Sequence, residues 1–418
     1  MKKKILATLL SVAMVATLVA GCGETAEAPA PAPAEEAPAA DEAAPAEDAP
    51  AADEAAPAEE AAPAEAQANP DTNDKLVGTP FEGVTANDAY NFAMDVKSFQ
   101  STYWQAAVQG MEMAAAELGV TYDAHGPNSE SDIADQVNMI NADINAKPAG
   151  IGLAACDTTA VLDSLQAAKD AGIPVVCFDT GVANAPDGSV VATVATDNTA
   201  AGAVAAEEMY AALKDTIANA SAPVRIGEVN QDATALNIQQ RGLGFINKMT
   251  ELIKADGKSV AVVGNEFYVN ACDDKGDEKT ADVIIEVAVP AQTTVELSTT
   301  EASSILSKDD VIGIFGSNQV TAEGLLAADD NLGKLGSDVA AGDVIGAGFD
   351  AGSVIKAAVE SGQLYGAVTQ SPLMMGYYAI YALTKAANGD TVADYPTGGY
   401  WYNAATMNDA EIAPNLYD

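Results

Sequence analysis

Seven short apolar runs, set apart by segments of helical period, fix what this chain can fold into. They read AYNFAMDV (89–96), GIGLAA (150–155), IPVVCFD (173–179), VRIGEV (224–229), SVAVVG (259–264), VIGIFG (311–316) and VIGAGFD (344–350). Each is apolar nearly throughout, as strands are when both faces of their sheet are covered. Between the first two, Trp104, Val108, Met111, Ala115 and Leu118 make one helical stripe that stops at Gly119. A second helix is expected from Thr159 to Ala171, ending at Gly172. Glycine is common just past a helix end, where the backbone turns left-handed. Strands alternating with helices over about 300 residues predict parallel sheets built from right-handed βαβ units. The units are too many for one sheet. The expected fold class is therefore α/β, with two doubly wound parallel-sheet domains.

The first 87 residues lack this pattern. Lys2, Lys3 and Lys4 precede an apolar run from Ile5 to Ala20, shorter than the roughly 20 residues a spanning helix needs. A basic start, a short apolar stretch and then small residues describe an export signal. Residues 24–70 are almost wholly Ala, Pro, Glu and Asp, and a twelve-residue unit repeats as APAADEAAPAED (37–48) and APAADEAAPAEE (49–60). Regular prolines stop helix growth, like charges repel, and no large apolar side chain offers a core. A disordered, extended linker is expected over residues 23–87.

Charge narrows the partners. The formal net charge is −42. Residues 23–74 hold 15 acidic side chains and no basic ones, which leaves residues 75–418 with 46 acidic and 16 basic, a net −30. Such a surface argues against nucleic acid, whose phosphates demand Lys and Arg, and against anionic ligands. Neutral solutes remain by elimination. Cys156, Cys177 and Cys272 are an odd set without close spacing, so no disulfide framework is expected, and Cys156 and Cys177, in apolar strand-like runs, read as buried thiols. His125, the only histidine, has no identifiable triad partner and reads as a loop residue. The acidic cluster Asp273–Glu278 misses the EF-hand spacing and reads as a solvated loop. No cofactor and no metal is expected.

In doubly wound sheets, ligands bind beyond the carboxyl ends of the strands. The residues there are Lys97–Trp104, Cys156–Thr158, Asp179 and Thr180, Gln231–Thr234, Ser317–Gln319, Asp350 and Gln370. The stretch MDVKSFQSTYW after the first strand has no GxGxxG, so a dinucleotide is not expected. A neutral polyhydroxylated ligand calls for carboxylates and amides that satisfy neighbouring hydroxyls in pairs, and for aromatic faces against its C–H groups. Asp179, Asp350, Asn318 and Gln370, with Tyr103 and Trp104, supply both. The plainer alternatives are helix N-caps for the two aspartates and a core role for Trp104.

Two resemblances to known families extend this reading. Residues 1–22, ending Leu-Val-Ala-Gly-Cys, resemble a bacterial lipoprotein signal. That implies cleavage before Cys22, a diacylglyceryl thioether on Cys22 Sγ, and anchoring on the extracytoplasmic face of a membrane in a Gram-positive-type envelope. From about residue 88 to 405 the chain resembles the type I periplasmic sugar-binding proteins of ABC importers, closest to their ribose-binding branch. STYWQAAVQGMEMAAAELG (101–119), GIPVVCFDTG (172–181), ATDN (195–198), QQRGLGF (239–245), FGSNQVTAEG (315–324), IGAGFD (345–350) and GAVTQSP (366–372) carry the likeness, in order and spacing. It implies ligand contacts from Ser101, Tyr103, Trp104, Asp179, Thr180, Gln239, Thr293, Asn318, Asp350 and Gln370. The ribose pattern has arginines where Thr180 and Gln239 stand and a phenylalanine where Thr293 stands, so the sugar itself is left open. Residues 265–282 look like an insertion.

The resemblance further implies an N-terminal lobe of residues 88–195 plus 371–397 and a C-terminal lobe of 196–370 plus 398–418, hinged at three crossovers. The expected function is capture of a monosaccharide or similar polyol, without chemistry, for an ABC permease, by a monomer held to the membrane through its lipid. The alternative is a sugar or furanosyl-signal receptor feeding a membrane sensor kinase. A sugar-modifying enzyme is disfavoured, since amides and aromatics describe recognition without an activated nucleophile.

Overall fold

The computed structural model describes residues 75–76 and 78–418. The signal, Cys22 and the repeats lie outside the described residues. The first stretch of secondary structure runs β1 (Asn91–Asp95), α1 (Thr102–Leu118), β2 (Thr121–His125), α2 (Ile133–Ala146), β3 (Gly150–Leu153), α3 (Leu162–Asp170), β4 (Val175–Phe178) and β5 (Val190–Thr196). The second runs α4 (Asn198–Asn219), β6 (Val224–Val229), α5 (Leu236–Ala255), β7 (Val260–Gly264), α6 (Glu266–Ala271), β8 (Val283–Ala288), α7 (Val295–Leu306), β9 (Val311–Gly316), α8 (Gln319–Leu332), β10 (Leu335–Gly336), β11 (Val344–Phe349), α9 (Ser353–Ser361) and β12 (Gly366–Thr369). The chain then returns through α10 (Pro372–Ala387) and β13 (Tyr395–Thr397) and ends beyond β14 (Tyr400–Tyr402).

These strands make two sheets, in the orders β13-β5-β4-β3-β1-β2 and β14-β12-β11-β9-β6-β8-β7, with β10 added beside β11. Every pair is parallel except β12 with β14. The architecture is the two doubly wound α/β lobes expected. The strand order reverses between β1 and β3 in one sheet and between β6 and β9 in the other. Those are the switch points at which such sheets open a crevice for ligands. The chain passes between the sheets three times: after β5, after β12, and between β13 and β14. At the first and third passages Thr196 and Thr397 touch through their hydroxyls at 3.2 Å. Among the described residues no helix is long and apolar enough to cross a membrane.

One boundary differs from expectation. The linker was expected to reach residue 87, yet Phe81 is wholly buried and stacks on Tyr378 with ring centroids 5.4 Å apart. The Tyr378 hydroxyl donates to the Lys75 carbonyl at 2.8 Å, and Asn87 N–H donates to Asn388 Oδ1 at 3.0 Å. Residues 75–76 and 78–87 therefore pack with the first lobe. The reason is compositional: Leu76 and Phe81 are the first large apolar side chains after the repeats, and α10 offers a face to bury them. The second expected helix begins three residues later than predicted, at Leu162, and Gly172 takes the left-handed turn after it (φ 73°). The insertion at 265–282 forms α6 and a return segment. There Val262 N–H donates to the Lys275 carbonyl at 2.9 Å, and Ala261 bridges Gly276. It covers β7, the edge strand, whose open N–H and C=O groups invite pairing with other chains.

Candidate ligand-binding site

Both predicted aspartates sit at strand ends in backbone conformations that few side chains adopt. Asp179 follows β4 at φ 60°, and Asp350 follows β11 at φ 75°. Aspartate tolerates the left-handed region better than most residues, and strain of this kind gathers at binding sites. Neither is the N-cap residue of a helix that follows it: no helix follows Asp179 before β5, and α9 is preceded directly by Gly352, although Asp350 meets the first N–H of α8 from outside that helix. Both are buried and held by converging donors. Asp179 Oδ1 accepts from the Tyr103 hydroxyl at 2.5 Å; its Oδ2 accepts from Thr180 at 2.7 Å and from Asn237 Nδ2 at 3.0 Å. Asp350 accepts from the Gln319 backbone N–H at 3.0 Å and from Gln370 Nε2 at 2.6 Å.

The two carboxylates face one cavity between the lobes. It is also lined by Ser101, Tyr103, Trp104, Asn318 and Gln370, all named from sequence. Trp104 serves two purposes. It is packed edge-on to Phe178 and Tyr103 in the core of the first lobe, while its indole N–H donates to Glu130 Oε1 at 2.9 Å on the cavity wall. Asn318 likewise caps α8, accepting from Thr321 N–H at 3.0 Å, and directs its amide at Gln231.

Three predicted residues are not brought into the cavity wall. Thr180 stands behind Asp179 and only orients it. Gln239 bonds to the Ala233 carbonyl at 2.8 Å. On α5 the cavity face is Asn237, Ile238 and Arg241, and position 239 lies about 200° around the helix from 237. Thr293 pairs instead with Ser131 across the lobes, its N–H donating to Ser131 Oγ at 2.8 Å.

Other lining residues are strand-end neighbours without an assigned contact, such as Lys97 and Gln231, or lie beyond the reach of the strand-end rule, such as Glu130, Asn237 and Arg241. Lys97, wholly buried, donates to Asn237 Oδ1 at 3.0 Å and lies 3.6 Å from Asp179. Burial works to lower its pKa, but the carboxylates of Asp179, Glu130 and Asp232 outweigh that and raise it. Arg241 bonds Asn198 Oδ1 with two nitrogens (3.2 and 2.8 Å) and the Ser317 carbonyl (2.7 Å), with its guanidinium 3.6 Å from the centre of the Phe349 ring. Burial pushes Glu130 and Asp350 upward; Lys97 and Arg241, respectively, oppose this.

Bonds across the cleft hold the lobes together. Gln231 Nε2 donates to Glu130 Oε2 at 2.8 Å, Gln319 Nε2 to Thr102 Oγ1 at 3.2 Å, and Thr158 N–H to the Thr234 carbonyl at 3.2 Å. The cavity they enclose is about 20 Å³, room for about one water. A ligand larger than a water enters only if the lobes part and these side chains exchange one another for it.

A buried carboxyl beneath the site gives a test of the electrostatics. Glu228 in β6 is wholly buried; Oε1 accepts from Asn230 Nδ2 at 2.6 Å and Oε2 has no partner. Burial holds its pKa well above the ordinary carboxyl value. A raised folded-state pKa gives stability that is complete below the unfolded pKa, near 4.3, and is lost as pH rises from there toward the folded value. Glu228→Gln removes this loss. Its melting temperature is expected to match the native protein's near pH 4 and to exceed it by several degrees at pH 8. Equal temperatures at both would mean the carboxyl ionises freely.

No curated protein matches the chain. An ABC transporter, LacI family transcriptional regulator from Brachyspira murdochii is 31% identical, with 79% of this chain and 99% of that one covered and a TM-score of 0.65. An ABC transporter solute binding protein from Agrobacterium vitis, solved with bound D-fucose, is 26% identical over 78% of this chain and all of its own, with a TM-score of 0.63. A carbohydrate transporter solute binding protein from Agrobacterium radiobacter shares the fold at 22% identity, with 79% and 100% covered and a TM-score of 0.64. The family model described as the periplasmic binding protein domain matches residues 92–391, most of the chain, and the chain belongs to that family.

Proposed function

We propose that this protein captures a monosaccharide or similar polyol outside the cytoplasm and presents it to an ABC permease, held to the membrane by lipid on Cys22. The observation that carries the reading is the pair of buried aspartates facing one inter-lobe cavity, each oriented by amide or hydroxyl donors and flanked by Tyr103 and Trp104. Carboxylates fixed in this way accept from adjacent hydroxyls, and a closed cleft penalises ligands that leave them unpaired. The Agrobacterium vitis relative, solved with D-fucose, supports a sugar of that size. The protein acts as a clamp: ligand contacts from both lobes stabilise the closed form over the open one.

A panel of pentoses, hexoses, polyols and nucleosides, titrated against the protein in thermal melts, tests this. At least one is expected to raise stability by about 2.7 kcal/mol at a hundredfold excess over its Kd. No response across the panel would sink the sugar reading. Cys22→Ser is expected to release the protein from the membrane fraction and impair uptake while leaving sugar affinity unchanged. A variant that stays membrane-bound would remove the lipid from the proposal.

A further inference from the structure

The single histidine is part of a cluster outside the cavity wall. β1 and β2 run parallel in a register that sets Asp95 beside His125, so both side chains leave the sheet on one face. Helix α2 lies over that face and adds Asp143. His125 Nε2 is 2.9 Å from Asp143 Oδ2 and 3.2 Å from Asp95 Oδ1. One donor atom from each of the three residues lies within 4.8 Å of the others.

Asp95 is the telling member. It is wholly buried, next to the apolar residues Phe92, Ala93 and Met94 of its strand, and neither of its oxygens accepts a hydrogen bond. A ring nitrogen carries at most one hydrogen, and the shorter contact from Nε2 is to Asp143. The Asp95 carboxylate is thus left with the longer of the two contacts, an ion pair at 3.2 Å. A protonated His125 sets one positive charge against two carboxylates, and a divalent cation would balance them.

We propose that Asp95, His125 and Asp143 form a binding site for a divalent transition metal, Zn²⁺ foremost, in the N-terminal lobe. One imidazole and two carboxylates are a set that Zn²⁺ accepts, with bonds of about 2.0–2.2 Å. Tetrahedral geometry with such bonds sets neighbouring donors about 3.3 Å apart; Nε2 already lies 2.9 and 3.2 Å from the two carboxylates, and all three donor atoms lie within 4.8 Å of one another. Nε2 would ligate the metal. The opposite ring nitrogen, Nδ1, lies 3.9 Å from Asp123 Oδ2, beyond hydrogen-bond reach, so the exposed Asp123 side chain would have to swing closer to orient a metal-bound histidine. His125 is about a quarter exposed, which leaves a route of entry and a position for water. A metal here would tie the end of α2 to the ends of β1 and β2, two residues before Lys97 of the sugar cavity.

The test uses the full chain, freed of metal with a chelator, and two probes, Zn²⁺ and Co²⁺. One Zn²⁺ per chain is expected to bind in competition with a chromophoric chelator and to raise the melting temperature. Co²⁺ is expected to show the visible absorption of a low-symmetry site, without the near-ultraviolet band of a thiolate ligand. His125→Gln and Asp143→Asn are each expected to abolish both signals, and Cys272→Ser to leave them intact. Absence of the visible Co²⁺ band from the native chain overturns the proposal, whether or not the variants fold. So does Zn²⁺ uptake that survives in His125→Gln, which would place the ion on the acidic linker or the protein surface.

Discussion

Asp350→Asn is expected to weaken sugar binding by about 10- to 150-fold while leaving the melting temperature of the free protein within a few degrees of native. Hydrogen bonds to a charged group contribute roughly 1.5–3 kcal/mol, and about 1.4 kcal/mol is a factor of ten in Kd. Asparagine keeps the size and tolerates φ 75°, whereas alanine there would add a left-handed backbone cost of about 1–2 kcal/mol unrelated to the ligand. What asparagine cannot keep is two acceptors. Gln319 N–H and Gln370 Nε2 both donate to the Asp350 carboxylate, so the new amide must turn its own donor toward one of them. Gln370 begins the second passage between the lobes, and the disturbance is passed to the clamp as well as to the ligand. Calorimetric titration with whichever sugar binds the native protein measures the effect. Native affinity in a folded Asp350→Asn protein would mean the carboxylate serves the hinge alone.

How much of this was legible beforehand follows from where each feature draws its signal. Strands buried on both faces, such as β3, β4 and β11, announce themselves as unbroken apolar runs. The edge strand β2 reads Thr-Tyr-Asp-Ala-His and is only partly covered, so nothing in its composition separates it from a loop. The strand-end rule finds residues that follow a strand directly, and it found Asp179, Asn318, Asp350 and Gln370. It does not reach Glu130, which comes from the loop before α2, or Asn237, from the first turn of α5. For α5 the signal lay in the helical period: once Asn237 faces the cavity, Arg241 does too and Gln239 does not. Asp95 and His125 end neighbouring strands, but their pairing depends on register, and Asp143 joins them only through the packing of α2. The linker boundary was misplaced because one buried phenylalanine, Phe81, outweighs the polar residues around it.

Gly376→Ala is expected to destabilise the protein by several kcal/mol, and Gly376→Val to prevent folding. Helices α1 and α10 cross with a glycine from each at the contact. A Cβ on Gly376 would lie 1.9 Å from the Ala107 carbonyl oxygen, and one on Gly110 would lie 1.8 Å from that of Leu373. Backbone oxygens cannot swing aside as a flexible side chain does, so the helices must separate by roughly an ångström to reach van der Waals contact. Overpacking typically costs about 1–3 kcal/mol, and more where backbone must shift. The second lobe repeats the device at α4 and α5, where Gly202 faces the Arg241 carbonyl and Gly244 that of Thr199. The sign of the effect is itself diagnostic. In an uncrowded helix interior, Gly→Ala stabilises by about 1 kcal/mol, so a rise in the urea midpoint of Gly376→Ala would show that the helices do not cross this closely. A fall should reach the ligand too. α1 carries Tyr103 and Trp104 near its start, and α10 begins beside Gln370; parting the two moves the aromatic wall of the cavity away from the hinge glutamine. Sugar affinity in Gly376→Ala is therefore expected to drop along with stability, though the substitution touches no residue of the cavity.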